Sequence, residues 1–189
     1  MAAIERLQQA LIDLDIDEGI AAQIVDGTVR DKDNKKKRAA FFVQAISQME
    51  RLLDEETCHA VRDACACSKG GWRLKAVQKL AKEYAGRSLG EKIAALGQIT
   101  HMGNPVLNED GTITAGIGDE GGLDCPCPVF EGLDLREPVS LTYCYCCAGH
   151  FRFHYQIALG KSLVTKRVVS SALNSLGKQP CRFEYAIVE

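Results

Sequence analysis

The spacing of apolar side chains changes near the middle of the chain, and this change limits the possible folds most. Over residues 2–98 apolar side chains recur every three or four positions, as in the stripe of Ile4, Leu7 and Leu11. Such spacing is typical of amphipathic helices that turn one face toward a core. It predicts a run of helices over the first half of the chain.

Capping residues mark where several of these helices begin. Asp17 and Asp54 each stand just before an apolar-periodic segment, where an aspartate can accept hydrogen bonds from the first free N–H groups of a helix. Ser88 is followed three residues later by Glu91, a spacing that predicts a capping box. Helices are therefore expected to start at these three positions.

The second half of the chain carries strand and turn signals instead. The sequence NEDG at 108–111 lies between short apolar segments and predicts a hairpin turn. Strands are predicted at 139–143, 162–172 and 181–188, whereas residues 148–159 fit either a strand or a helix. N-terminal helices packed on a C-terminal, mostly antiparallel sheet give an α+β fold.

The length and the charge balance of the chain limit the class of protein to which it can belong. We predict one domain over 1–189, with a helical part at 1–100 and a sheet-forming part at 101–189. A net charge of −2, from 23 basic and 25 acidic residues, argues against nucleic-acid binding. No apolar run approaches the roughly 18 residues of a membrane helix, and the amino terminus lacks the apolar core of a signal peptide. A cytoplasmic protein without a membrane partner is therefore expected.

Nine cysteines are the unusual part of the composition, and they are clustered. Three lie within 58–67 and five within 125–147, whereas Cys181 stands alone and shares strand parity with Phe183, as a core residue would. An odd number in a reducing compartment argues against a disulfide framework. Cysteines that only fill a core should be scattered with its periodicity, so the clusters indicate ligand or redox chemistry.

The most specific local motif is CPCP at 125–128. Its prolines stiffen the chain, and its two thiols are too close for an ordinary disulfide but suit two ligands on one soft metal ion. If 139–147 is extended, two further thiols share one face of the strand. We therefore predict a small-molecule- or metal-binding module with a cysteine-lined site for zinc or an iron–sulfur cluster. The predicted metal ligands are Cys125, Cys127, Cys144 and Cys146, and the reserve ligands are Cys58, Cys65, Cys67 and Cys147.

The motif YCYCCAGH at 143–150 supports a second hypothesis. If a helix begins at Cys147, then Cys147, His150 and His154 line one side of it, and the helix dipole lowers the pKa of nearby thiols. A hydrolase or another thiol-dependent enzyme would use Cys147 as nucleophile and His150 as base. A third hypothesis is redox cycling, in which the adjacent Cys146 and Cys147 and the C-x-C pairs alternate between thiol and disulfide.

The last quarter of the chain resembles the four-vinyl-reductase domain superfamily of hydrocarbon-binding sensors. The likeness covers about 138–189 and rests on a glycine-containing helix, Gly160 before a strand, a glycine-containing turn and a final Cys-Arg-Phe strand at 181–183. It implies N-terminal helices packed on a twisted antiparallel sheet, with 148–159 as a helix. It also implies a small-molecule ligand and a homodimer.

The same resemblance implies a zinc site that this sequence only half matches. The ligands of the zinc-bearing members are a cysteine before the helix, a glutamate and a cysteine on the penultimate strand, and the cysteine of the last strand. Cys146 or Cys147 matches the first position and Cys181 the last, whereas Ser170 and Leu173 occupy the other two. The CPCP and YCYCCAGH motifs are also similar to proteins named as aminothiazoline-carboxylate hydrolases, and this likeness implies an enzyme without assigning catalytic residues.

Overall fold

The computed structural model describes residues 2–67, 69–118 and 125–188. Six helices come first in these ranges: α1 (Ala3–Asp13), α2 (Glu18–Ile24), α3 (Lys35–Leu52), α4 (Glu55–Ala64), α5 (Gly71–Glu83) and α6 (Leu89–Gly97). The remaining elements are β1 (Val106–Leu107), β2 (Ile113–Ile117), α7 (Leu141–Leu159), β3 (Ser162–Ser170) and β4 (Cys181–Val188). No helix in the described part of the chain is long and apolar enough to cross a membrane.

The four strands form one antiparallel sheet in the order β1-β2-β4-β3. The predicted hairpin at 108–111 joins β1 to β2. Asn108 closes it with two hydrogen bonds to Thr112, one from its backbone N–H to the carbonyl and one from its side-chain amide to the hydroxyl, each of 2.8 Å. In β4, Cys181, Phe183 and Tyr185 are buried. The prediction of an α+β fold with helices first and an antiparallel sheet last is therefore confirmed.

The predicted helix starts are confirmed with their caps. The carboxylate of Asp17 accepts hydrogen bonds from two backbone N–H groups of α2, and the carboxylate of Asp54 accepts one from the backbone N–H of Thr57 in α4. At the start of α6, Ser88 and Glu91 form the reciprocal capping box. Each of these bonds satisfies an N–H group that the helix itself leaves without a partner.

The helix α7 lies at the centre of the fold, between the sheet and the N-terminal helices. It packs against β3 on one side and against α4, α5 and α6 on others. The Tyr185 hydroxyl of β4 donates to the backbone carbonyl of Ala148 at 3.0 Å, and the Tyr155 hydroxyl of α7 donates to the carbonyl of Met102. Most of the helix is buried, so α7 lacks the polar face that an ordinary surface helix shows.

The prediction of a strand at 139–143 is wrong, because α7 already begins at Leu141. Ser140 is its N-cap, and the carboxylate of Glu50 on α3 accepts hydrogen bonds from the hydroxyls of Ser140 and Thr142. A negative charge at a helix N-terminus is favourable. The apolar segment alone did not distinguish a buried strand from a buried helix.

The ambiguous segment 148–159 is the second half of α7, as the resemblance implied. The helix ends at Gly160, whose φ of 65° is the left-handed conformation that favours glycine. The ammonium group of Lys92 donates to the carbonyl of Leu159 at 3.1 Å, which places a positive charge at the C-terminal end of the helix dipole.

A glycine allows α4 and α7 to approach closely. A Cβ atom built on Gly149 would lie 2.4 Å from the carbonyl oxygen of Asp63, a distance that real Cβ atoms do not show. Beside this contact, the carboxylate of Asp63 accepts hydrogen bonds from Arg152 on α7 and from Thr165 on β3. Asp63 therefore ties three elements together at the point where the backbones are nearest.

We predict that the variant Gly149→Ala is less stable than the wild-type protein by about 1–3 kcal/mol, because the added methyl group forces the two helices apart. The measurement is the free energy of unfolding from urea denaturation. The matched control is Gly90→Ala in α6, where a Cβ meets nothing within 4 Å. Alanine is the better helix former, so this control should be equally or more stable. Equal stability of the Gly149→Ala variant and the wild type would contradict the close packing.

Candidate functional site

Three thiols lie in the first two turns of α7, where this helix packs against α4. Cys144 and Cys146 are buried, and Cys147 is half-buried. All nine cysteines fall within the described ranges, and each of them is a free thiol. The segment that holds Cys125 and Cys127 packs against the same core as this end of α7.

A buried arginine of α4 faces this group of thiols. Arg62 is only 2% exposed, and its guanidinium lies 4.6 Å from the ring centre of Tyr143 and 5.5 Å from that of Phe42. Its Nη2 and Nε atoms donate to the backbone carbonyl of Tyr143 at 3.0 and 3.4 Å. Within the described residues no aspartate or glutamate forms an ion pair with it.

A buried guanidinium without a carboxylate needs negative charge from another source, because an uncompensated charge in a protein interior is costly. Burial alone would lower the pKa of Arg62, but the nearby thiols, with Cys146 as the strongest, raise it instead. Within the described residues, the groups that raise the pKa of Arg62 are thus thiols and the Tyr143 phenol.

The pKa of the Cys146 thiol is lowered to about 6. The largest cause is a hydrogen bond from the Cys147 thiol, and the positive charges of Arg62 and Arg6 add to it against the opposing effect of burial. The same hydrogen bond raises the pKa of Cys147, whose proton it holds. The first proton lost therefore belongs to the Cys146–Cys147 pair, and the hydrogen bond and the nearby positive charges favour its loss from Cys146.

The other thiols of this region keep their protons, because burial disfavours their charged forms. Burial raises the pKa of Cys125 to about 12 and also raises those of Cys127 and Cys144. The sulfur of Cys127 lies 3.1 Å from the Tyr143 hydroxyl, and either atom can donate in this contact. The pKa of Cys146 is thus lowered at a site where the pKa values of these three thiols are raised.

The first cysteine cluster approaches the second through Cys65, because the charge of Cys146 acts on Cys65. Cys65 is the C-cap of α4, and its sulfur lies 3.6 Å from the carbonyl of Arg6 in α1. The pKa of Cys65 is raised by burial and responds to both Arg62 and Cys146, so this thiol borders the same site. Cys58, by contrast, lies at the start of α4 with its sulfur 4.0 Å from the carbonyl of Leu53, and burial raises its pKa to about 11.

His150 and His154 lie one turn apart on α7, with ring centres 4.7 Å from each other. The Nδ1 atom of His150 is 2.7 Å from the carbonyl of Cys67, so it carries a proton and donates it. Burial lowers the pKa of His150 to about 4. Within the described residues the Cys147 thiol makes no hydrogen bond to the His150 ring. Its pKa depends on the hydrogen bond with Cys146 and on the charges of other thiols.

The four predicted metal ligands lie in one electrostatic neighbourhood. Cys125 acts on the ionisation of Cys144, and Cys125, Cys127 and Cys144 all respond to Cys146. The charge of Cys181 would also act on Cys125 and Cys144. In the part of the chain that the structure describes, no group of three or more His, Cys, Asp or Glu side chains is arranged to hold a metal ion. The metal site therefore stays a prediction.

A family model described as "Family of unknown function (DUF6144)" matches residues 1–170. The chain belongs to this family. No curated protein and no solved structure matches it. The match to DUF6144 includes both cysteine clusters, Arg62 and all of α7, and it ends before Cys181. It carries no information on the four-vinyl-reductase likeness, which also stays a prediction.

The key residue that sequence reasoning missed in this DUF6144 chain is Arg62. Cys58, Val61 and Cys65 form the buried stripe of α4 at helical spacing, and Arg62 falls on the same stripe. A charged residue in an apolar stripe is a signal that the sequence does contain. The partners of Arg62 are in α7, far along the chain, so the signal alone could not identify what the charge faces.

We predict that Arg62→Met moves the alkylation of Cys146 by iodoacetamide to higher pH. In the wild-type protein the rate should reach half its maximum near pH 6, because the thiolate is the reacting form. Without the positive charge the midpoint should move toward the ordinary thiol value of about 8.5. Mass spectrometry of the Cys146 peptide over a pH series measures the midpoint.

Arg62→Lys is the matched variant, because it keeps the charge and loses the planar guanidinium. Its midpoint should lie between those of the wild-type protein and Arg62→Met. Far-UV circular dichroism shows whether both variants keep the fold. An unchanged midpoint in a folded Arg62→Met variant would show that Arg62 does not stabilise the thiolate.

Proposed function

We propose that this protein is a small-molecule-binding module whose cysteine-lined site engages a thiol-reactive ligand through the Cys146 thiolate. The observation that carries the proposal is Arg62, a buried guanidinium that lies among thiols and has no carboxylate partner within the described residues. This arrangement favours a permanent thiolate. A core that only needed packing would be served better by an apolar residue at this position.

The position of Cys146 along α7 indicates that Arg62, rather than the helix dipole, is the positive charge that stabilises its thiolate. The helix begins at Leu141, so Cys146 lies in its second turn. The effect of a helix dipole is strongest at the first turn and falls off beyond it. The hydrogen bond from Cys147 is the largest cause of the lowered pKa of Cys146, and the positive charge that α4 supplies by packing on α7 adds to it.

A thiolate that exists before the ligand arrives needs no general base. In a reaction with an electrophilic carbon, the sulfur lone pair forms the C–S bond and the leaving group departs with the electrons of the broken bond. Cys146, rather than Cys147, is then the nucleophile of the thiol-dependent alternative. His150 is neutral at physiological pH and bonded to the Cys67 carbonyl, and this chemistry does not use it as a base.

We predict that Cys146 is alkylated first when the native protein is treated with iodoacetamide at pH 7. The expected advantage over the other buried thiols is about tenfold or more, because the pKa of Cys146 is lowered whereas burial raises those of the other buried thiols. Quantitative mass spectrometry of each cysteine-containing peptide measures the rates. Cys146→Ser should remove the fast reaction, whereas Cys181→Ser, which removes a buried thiol of raised pKa, should leave it unchanged. Equal labelling of all nine cysteines would contradict the proposal.

A soft metal ion is the second candidate ligand, and the shared neighbourhood of Cys125, Cys127, Cys144 and Cys146 favours it. Four thiolates on Zn²⁺ carry a net charge of −2, and the positive charge of Arg62 would offset part of it. Each bound thiol must lose its proton, so metal affinity should rise with pH. Ligation would also require side-chain rotation from the positions that the structure shows.

The metal candidate predicts one zinc or one iron–sulfur cluster per chain after anaerobic purification. Elemental analysis and a visible spectrum measure the content. Cys127→Ser should reduce it at least fivefold, whereas Cys58→Ser should leave it unchanged, because Cys58 lies away from the site at the start of α4. Protein prepared without oxygen that contains neither zinc nor iron would contradict this candidate.

A reducing compartment suits both candidates. All nine cysteines are free thiols in the structure, and a thiolate such as Cys146 is oxidised easily outside such a compartment. We therefore propose the cytoplasm as the location of this protein.

A further inference from the structure

A cavity of about 330 Å³ lies between α1 and the end of α4. One wall is a single face of α1, since Arg6, Gln9, Ala10 and Asp13 are spaced by three or four residues. The other wall is the last turn of α4 and the chain after it, which contribute Ala64, Ala66, Cys67 and Lys69. The volume is within the range of pockets that hold small molecules.

The charges of the lining are separated along the cavity. Arg6 and Lys69 are its two cationic residues, and Asp13 is its one carboxylate. Asp13 follows Arg6 by seven positions in α1, which is about 10 Å along the helix axis. The Asp13 carboxylate is also engaged, because it accepts a hydrogen bond of 2.8 Å from the Gln9 amide. The Arg6 end of the cavity is therefore electropositive.

This positive end borders the cysteine-lined site. The Nε atom of Arg6 donates to the carbonyl of Cys65 at 3.1 Å, and Cys67 lies in the cavity wall itself. The charge of Arg6 also acts on Cys146. A ligand held at this end would therefore lie beside the thiols.

We propose that the cavity between α1 and α4 binds a small anionic molecule, one that carries a carboxylate or a phosphate group, with the anion at Arg6 and Lys69 and beside Cys67. This inference names the class of ligand that reaches the thiols, and in that respect it rests on the proposed function. The binding site itself depends only on the cavity and its charges.

The test compares two alkylating reagents of similar size and different charge, iodoacetate and iodoacetamide. Both form a C–S bond and release iodide, so only the charge of the reagent differs. Tandem mass spectrometry at pH 7 gives the ratio of the two rates at Cys67. The same ratio for Cys67 in the urea-unfolded chain gives the intrinsic preference of the thiol.

The folded protein should favour iodoacetate by at least threefold over the unfolded chain. Lys69→Gln should remove most of this preference without changing the iodoacetamide rate, and 1 M NaCl should weaken it by screening. Lys178→Gln is the matched control, because this exposed lysine lies between β3 and β4 and outside the cavity. Arg6→Gln should act like Lys69→Gln, and the Lys69 variant remains informative if the Arg6 variant does not fold.

Protection experiments then distinguish the two kinds of anion. Inorganic phosphate and acetate are each tested for slowing the reaction of Cys67 with iodoacetamide, and slowing by one of them identifies the preferred group. Equal preference in folded and unfolded chains, or a Lys69→Gln variant that behaves like Lys178→Gln, would overturn the inference. The proposed function fails separately, by slow labelling of Cys146, so the two outcomes are distinguishable.

Discussion

The charge of Arg62 is the constraint around which this end of the molecule is organised. A guanidinium that is 2% exposed can be held in a core only if aromatic faces, a carbonyl and a negative charge surround it. Phe42 and Tyr143 supply the rings, and the Tyr143 backbone supplies the carbonyl. The thiols of α7 and of the loop before it are the groups that can supply the charge. The position of α7 against α4 is therefore also what decides the chemistry of its cysteines.

The neighbouring residue on α4 fixes this position. Asp63 binds Arg152 of α7 and Thr165 of β3, and its carbonyl lies over Gly149, where no side chain larger than hydrogen fits. Consecutive residues of α4 thus perform two tasks, because successive helical positions point about 100° apart. Arg62 faces the thiols, and Asp63 locks the helix to α7 and the sheet. The close packing of the α4 and α7 backbones, more than any long side chain, therefore sets the dimensions of the site.

Local chemistry explains which parts of the fold could be predicted from the sequence. The caps at Asp17, Asp54 and Ser88 and the hairpin at 108–111 were predictable, because each depends on residues a few positions apart. The strand prediction at 139–143 was wrong, because an apolar segment buried on all sides has no periodicity that separates helix from strand. The start of α7 was decided by Glu50 of α3, which binds the N-terminal hydroxyls from a distant part of the chain.

The sequence by itself determined that the helices precede the sheet and that eight of nine thiols fall in two short segments. Only the tertiary structure decided which thiol ionises. Cys146 and Cys147 are adjacent and chemically identical, yet the pKa of one is lowered to about 6 and that of the other is raised. The physical reason is that the pKa of a thiol depends on the hydrogen bonds and charges around it. Cys147 donates a hydrogen bond to Cys146, and the charges of Arg62 and Arg6 reach Cys146 only through the packing of α4 and α1.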